Sequence, residues 1–518
     1  MTKDFDIDLP DELLTHQDGP FGLHVTDEAK SRVAIFKSGK VFALEGGLRH
    51  PDVQTIICVL EDAGHKLMLA PADVTIVDNG TLRGIYEGKA ASSTTSLAPV
   101  GPTENNDSEK REDAYRLFAR AVRTAGVSDL IVKYETDFPS VHQIVDGDME
   151  DLIDLNWSPQ YALEFQKAVQ AWAGDEGNGS SELGWRQNSH QMGSISRGLP
   201  PGLDTVRLEY LATGFGGKEL IARLQHTPKG GRIDLNTLNF DPVDLKTINK
   251  IVQSSGGITI ATGPTGHGKT RLLYGMQQRA LDYFPADRWI NIERPIEVRL
   301  RNKRITQIDV IQVGGFSAAA DAWQESLSAS MRGVPRKLLI GEVVRPEEAD
   351  VAIRTALTGH GVLTTTHTPD TAGAIIRLLD LGVSASTLCN QRRIRAILGI
   401  RLIKRTCPHC SRKVDLADWE DDCPEWIEEV IKDCGHLKAA NPEGCSQCRR
   451  GYIPGRIPLL EILRPDRQYL ELATAGREDD AHAHWVKNLG GQTLVSKIIA
   501  GMKEGRFDPK EAIRCTDF

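Results

Sequence analysis

Gly263-Pro264-Thr265-Gly266-His267-Gly268-Lys269-Thr270 constrains this chain more than any other stretch. It fits G-x-x-x-x-G-K-[ST], a pattern in which glycines let backbone N–H groups converge on phosphate oxygens. Before it, Gly257-Ile258-Thr259-Ile260-Ala261 reads as a buried strand; after it, Arg271-Leu272-Leu273-Tyr274-Gly275-Met276 opens a helix. A strand, a glycine loop and a helix N-terminus in succession set the positive end of the helix dipole behind bound negative charge. The chemistry implied is a nucleoside triphosphate site, with Lys269 reaching the β- and γ-phosphates and the Thr270 hydroxyl holding Mg²⁺. Gly263 through Thr270, with Arg271, are the candidate ATP-binding residues.

A second signal is Lys337-Leu338-Leu339-Ile340-Gly341-Glu342, an apolar strand ending in an acid. A carboxylate at the carboxyl end of a strand in the same sheet can orient or deprotonate an attacking water, or help hold hydrated Mg²⁺. Glu342 is therefore the candidate catalytic acid-base. Ile290-Asn291-Ile292-Glu293-Arg294-Pro295-Ile296-Glu297 places two more acids after another strand, and Leu357 to Thr368 places His360 and His367 around a third.

The cysteines carry separate chemistry. Six of the chain's nine, Cys407, Cys410, Cys423, Cys434, Cys445 and Cys448, crowd one segment. In a reducing compartment this suggests metal rather than disulfides. Cys407-Pro408-His409-Cys410 and Cys445-Ser446-Gln447-Cys448 form two C-x₂-C pairs, a thiolate set suited to tetrahedral Zn²⁺. Cys423, Cys434, His409 and His436 are competing ligands without a C-x₂-C partner. Four thiolates leave no open position, so the expected role is structural.

Composition limits the setting. With 40% apolar and 26% charged residues the chain should fold as a globular protein, and it has no apolar run long enough for a membrane span. The acidic start, Met1-Thr2-Lys3-Asp4, lacks an export signal, so the expected location is cytoplasmic. A net charge of −9 argues against a main task of coating nucleic acid, and no nucleic-acid partner is expected.

The chain divides into an N-terminal partner-binding module (1–88) and a linker rich in Ser, Thr, Pro and Asn (89–112). An α/β domain (113–228), an ATPase core of alternating helices and strands (229–405), a tetracysteine subdomain (406–450) and a C-terminal helical region (451–518) follow. In the first module Val33–Phe36, Thr55–Leu60 and Val74–Val77 read as strands. Thr205–Leu211 and Glu219–Leu224 read as paired strands across a glycine-rich turn. Leu494, Ile498 and Met502 mark a helix.

The order of these motifs resembles the assembly and secretion ATPases of type II secretion and type IV pilus systems. There, a phosphate loop, an E-D-P-I-E "Asp box", a strand ending in G-E and a T-G-H…H-T "His box" follow in sequence. The resemblance runs from about 111 to 518. It implies an α/β fold: a RecA-like P-loop ATPase core preceded by a smaller, PAS-like α/β domain, with an N-terminal module and a zinc-binding insertion. It also implies that Glu293 and Glu297 belong to the Asp box, that Glu342 is the catalytic glutamate, and that His360 and His367 sense or position the γ-phosphate. Arg207 and Arg223, on strands resembling the family's R-x-S-x-L-P and V-x-R-L, would serve as arginine fingers on a neighbouring subunit's nucleotide.

The resemblance further implies a homo-hexamer, ATP, Mg²⁺ and Zn²⁺ as cofactors, and an inner-membrane platform protein or cytoplasmic adaptor as partner. The location implied is cytoplasmic, peripheral to the inner membrane, and the function is energising assembly of a type IV pilus or pseudopilus. The tetracysteine insertion resembles that of assembly and secretion members and is typically absent from retraction motors. A conjugative thin-pilus system is one setting for such a member; alternatives are a conjugation or type IV secretion motor moving DNA, and a nucleotide-gated scaffold with little hydrolysis. The departures mark a divergent branch: Arg294 replaces the Asp-box aspartate, Val343-Val344-Arg345 stands where I-R-D is expected, and His267 occupies a small-residue position. Asp129–Tyr134 replaces D-I-H-I-E-P, and arginines expected near Val141–Gly147 are missing.

Overall fold

The computed structural model describes residues 13–15, 27–43, 104–135, 139–152, 157–175, 185–228, 231–254, 256–310, 319–389, 393–419 and 423–516, with scattered positions between 53 and 86. The chain forms two compact units, 1–103 and 104–518. In the first, β1 (Val33–Ile35) pairs antiparallel with β2 (Val41–Ala43), which pairs parallel with β3 (Val74–Ile76). Thr55–Leu60, expected as a strand, is helical at its described positions Ile56, Ile57, Val59 and Leu60. Ile56, Ile57 and Leu60 are buried against β1 and β2, and a spacing of three or four serves a helix that presents one face to a sheet.

In the second unit a helix spans Glu104–Arg123, so the helical stretch begins inside the segment read as linker. The remainder of that linker, 89–103, lies outside the described residues. This helix and a second, Pro159–Asp175, cover an antiparallel sheet of β4 (Val127–Tyr134), β5 (Ser140–Val145), β6 (Asp148–Asp151), β7 (Gln191–Ile195), β8 (Leu203–Ala212) and β9 (Lys218–His226). Its order is β6-β5-β4-β9-β8-β7. Phe165, Val169 and Trp172 recur at helical spacing and are all but fully buried against the strands, each contributing about 1.5–3 kcal/mol of apolar burial.

The helix Pro242–Val252 leads into the core, with Asp241 capping its N-terminus by accepting the Val243 N–H at 2.8 Å and proline at its first position. The core sheet comprises β10 (Gly257–Thr262), β11 (Trp289–Glu293), β12 (Ile305–Asp309), β13 (Lys337–Ile340), β14 (Gly361–Thr366), β15 (Ile394–Thr406) and β18 (Tyr452–Leu463), in the order β12-β11-β13-β14-β10-β15-β18. Every pairing except β15 with β18 is parallel. Strands β10, β11 and β13 are buried at every position, as expected where helices cover both faces.

The region read as helical from 451 onward thus opens with a 12-residue strand that completes this sheet. Its apolar residues pack on both faces, so they lack the alternation that marks a half-exposed strand. Between β15 and β18 lie β16 (Arg412–Val414), the helix Glu425–Cys434 and β17 (Leu437–Ala439), the last two packed in an apolar cluster shared with β15, β18 and the C-terminal helices.

Candidate active site

The carboxyl ends of β10, β11, β13 and β14 open on one edge of the sheet, where ligands of open α/β sheets bind. The phosphate loop follows β10. Gly263 has φ 142°, and a Cβ there would stand 2.4 Å from the Ile400 carbonyl oxygen, so only glycine fits. Gly268 takes a left-handed φ of 83° at the start of the helix Lys269–Tyr283, turning the chain from loop into helix. His267 is tied from beneath, its Nδ1 accepting the Leu402 N–H of β15 at 3.0 Å. Thr270 and the exposed Arg271 occupy the first helical turn.

Lys269 folds back over the loop, donating to the carbonyls of Gly263 at 2.6 Å and Pro264 at 3.0 Å. Burial lowers its ammonium to about 8 against the pull of Glu342 and Glu297. Its Nζ also lies 3.3 Å from His367 Nδ1, and His367 Nε2 lies 3.0 Å from Glu342 Oε1. One assignment satisfies all three groups: Lys269 donates to Nδ1, and Nε2–H donates to the carboxylate. The strand order explains the alignment. Strand β14 lies between β13 and β10, so His367, just beyond β14, falls between Glu342, just beyond β13, and the phosphate loop.

The second predicted histidine does not join them. His360 precedes β14 at the opposite edge of the sheet, with Nδ1 2.9 Å from the Thr358 hydroxyl. A six-residue strand separates it from His367, about 20 Å. His360 is therefore not brought to this chain's phosphate loop, because the strand between the two residues is fully extended.

Glu293 ends β11 and is buried. It accepts from the Tyr274 hydroxyl and from Gln307 Nε2 at 3.1 Å. Burial, only partly offset by these bonds, pushes its carboxyl up to about 7. The folded chain keeps a proton here that the unfolded chain gives up in the ordinary carboxylate range. The stability this contributes is full below that range and is lost as pH rises through about 7. The expected loss is about 3 kcal/mol between roughly pH 5 and 8, absent in Glu293→Gln. Urea unfolding of both nucleotide-free chains across that range measures it, and equal slopes would discount the group. Glu297, half-buried beyond β11, acts electrostatically on Lys269, Arg207 and Arg223. Arg294 between them is exposed.

Arg207 and Arg223 pair directly across β8 and β9. Arg223 Nε donates to Asp129 at 2.9 Å. Burial lowers the Arg207 guanidinium, opposed chiefly by Glu297 of the same chain. The two arginines expected to serve a neighbouring subunit thus stand within electrostatic reach of their own chain's Glu297.

Two further arginines line this edge without having been singled out in the sequence. Buried Arg401 on β15 donates to the carbonyls of Pro369 and Ile400 beside Gly263. Arg377 Nη2 donates to the Val344 carbonyl at 3.1 Å, next to the position where an arginine was missing. Arg401 had a signal, a cation inside a long apolar run; Arg377 had none.

At the far end of β15 and β18, antiparallel pairing of Thr406 with Tyr452 brings the two C-x₂-C segments together. The sulfurs of Cys407, Cys410, Cys445 and Cys448 lie within 4.8 Å of one another, with 3.8 Å between Cys407 and Cys445 and 3.5 Å between Cys410 and Cys448. Sulfurs about 2.3 Å from a tetrahedral Zn²⁺ stand about 3.8 Å apart, so the set fits a metal ion. Cys423 and Cys434 pack instead against the apolar cluster of the insertion, and neither His409 nor His436 joins the sulfur group.

Residues 191–514 match the family described as type II/IV secretion system protein. The chain is 29% identical over 434 residues to the protein transport protein HofB homolog of Escherichia coli K12, covering 82% of this chain and 85% of that protein. It is 32% identical over 332 residues to the type IV pilus assembly ATPase TfpB of Acinetobacter baylyi, covering 62% of this chain but 53% of that protein. Among solved structures, the pilus retraction motor PilT with bound ADP aligns at a TM-score of 0.52 and 19% identity, covering 78% of this chain and 97% of PilT. The Legionella pneumophila ATPase DotB aligns at 0.53 and 17%, covering 80% and 96%. At these identities the two structures establish the fold. Among the described residues, no helix is long and apolar enough to cross a membrane.

Proposed function

The chain belongs to the type II/IV secretion system protein family, and from that premise we propose that it hydrolyses ATP as a hexameric motor energising assembly of a type IV pilus or type II secretion pseudopilus. The observation that carries the reading is the line Lys269–His367–Glu342 at the carboxyl edge of the core sheet. Lys269 is poised to exchange the carbonyls of Gly263 and Pro264 for phosphate oxygens, which also restores its full charge. Glu342, held by His367, accepts the proton of the attacking water. Arg207 and Arg223 face the developing phosphoryl charge from the preceding domain. Mg²⁺, when bound at Thr270, supplies charge neutralisation to the phosphates.

The four thiols hold structural Zn²⁺, and its presence fits pilus assembly better than retraction. The motor works at the cytoplasmic face of the inner membrane on a platform protein or adaptor, with residues 1–88 as a docking module. ATP turnover combined with sizing of the oligomer, with and without Mg²⁺ and nucleotide, tests this. The expected result is Mg²⁺-dependent turnover by a six-copy assembly. Nucleotide binding without turnover would favour a nucleotide-gated scaffold, and stimulation by DNA rather than by a platform protein's cytoplasmic domain would favour a DNA-transfer motor.

A further inference from the structure

At the edge of the six-stranded sheet, β5 and β6 are joined by Asp146-Gly147, both at positive φ, 51° and 91°. This is a two-residue type I′ hairpin, whose twist matches its strands. The hairpin carries Asp146, Asp148 and Glu150, and the last two point to one side of β6 because side chains alternate along a strand.

Each acid has a partner in the C-terminal part of the chain. Asp146 Oδ2 accepts the Gly455 N–H at 2.9 Å. Asp148 accepts from Lys404 Nζ at 2.6 Å through one oxygen and from Arg514 Nη1 at 2.9 Å through the other. Glu150 accepts from Arg449, a side chain just past Cys448. Gly147 faces Arg456, since a Cβ there would lie 3.2 Å from its Nη1. Lys404 is itself fixed, 3.3 Å from Glu511 and 4.8 Å above the Tyr452 ring. In a chain of net charge −9, four cations from β15, β18, the segment between Cys448 and β18, and the helix Pro509–Cys515 thus converge on one acidic turn. Single half-exposed pairs of this kind are weak, but here several act on one short rigid hairpin.

The same sheet carries Arg207 and Arg223 on β8 and β9. We infer that the acidic β5–β6 turn is a positioning latch: Asp146, Asp148 and Glu150 dock the sheet on the C-terminal part of the chain so that Arg207 and Arg223 stand over the nucleotide site of their own chain. The inference rests on the ATPase reading. The latch residues touch no nucleotide; they act through the two arginines, which contribute only if held in register with the developing charge.

The test compares Glu150→Lys, Arg449→Glu and the charge swap Glu150→Lys/Arg449→Glu in the full chain. Three quantities are read: kcat and KM for ATP, affinity for a non-hydrolysable ATP analogue, and hydrogen exchange of the β5–β6 amides. Each single variant is expected to lower kcat by about ten- to a hundredfold, leave analogue affinity unchanged and speed exchange in the hairpin. The swap is expected to regain both kcat and protection. Wild-type exchange in the single variants, or losses that the swap fails to recover, would overturn the latch. Recovery of protection without kcat would overturn its positioning role. A wild-type chain without ATP turnover would instead overturn the ATPase reading, with hairpin exchange still deciding whether the latch exists.

Discussion

Replacing Glu342 by glutamine is expected to lower ATP turnover by about 10²–10⁴-fold while leaving nucleotide affinity near that of the unaltered chain. The amide oxygen can still accept from His367 Nε2, now 3.0 Å from Glu342 Oε1, so the local geometry survives. What is lost is the capacity to take a proton from water. Affinity is retained because the phosphate cradle is built by the Gly263–Thr270 backbone and Lys269, none of which touches Glu342 directly. Lys269→Ala gives the contrasting pattern, losing nucleotide binding together with turnover. Steady-state hydrolysis alongside binding of a fluorescent ATP analogue separates the two. Undiminished phosphate release by the Glu342→Gln chain would rule out this carboxylate as the base and favour the scaffold.

The second large effect is expected at the thiols. Cys407 and Cys410 close the end of β15, and Cys445 and Cys448 stand just before β18, so one ion would tie both ends of the insertion to the antiparallel pair. The apolar cluster beneath, with Ile427, Val430, Ile431 and Leu437, also takes in Leu494 and Phe507 from C-terminal elements. A structural Zn²⁺ contributes about 10–16 kcal/mol to such a fold, and the metal-binding ends of the insertion depend on it. Chelation, or Cys445→Ser with Cys448→Ser, is expected to release bound zinc and expose 407–450 to proteolysis. Cys423→Ser and Cys434→Ser should leave metal content unchanged. Metal analysis of the purified chain with limited proteolysis checks this, and a zinc-free, protease-resistant wild-type chain would contradict it.

The sequence made legible whatever depends on neighbouring residues. The phosphate loop, the strand before it and the helix after it occupy one stretch, and Asp241-Pro242 carries its own capping chemistry. The C-x₂-C knuckles are readable too, and they set the four gathered cysteines apart from Cys423 and Cys434, which lack a C-x₂-C partner. Errors fell where a short apolar run suits more than one partner. Thr55–Leu60 reads as a strand, yet its described positions Ile56, Ile57, Val59 and Leu60 are helical, and Tyr452–Leu463 lacks alternation because both its faces are covered.

Tertiary structure alone decided which distant residues meet. Strand order inserts β14 between β13 and β10, aligning His367 with both Lys269 and Glu342, and the length of the same strand carries His360 to the far edge. Pairing of β8 with β9 sets Arg207 opposite Arg223, and packing of their sheet leaves both within electrostatic reach of Glu297. The acidic turn at Asp146–Glu150 carries no motif of its own, and its partners come from more than 250 residues away. Backbone preference and motif spacing are written locally in the chain, whereas a charge or a hydrogen bond across the fold is fixed only when burial chooses which surfaces close on one another.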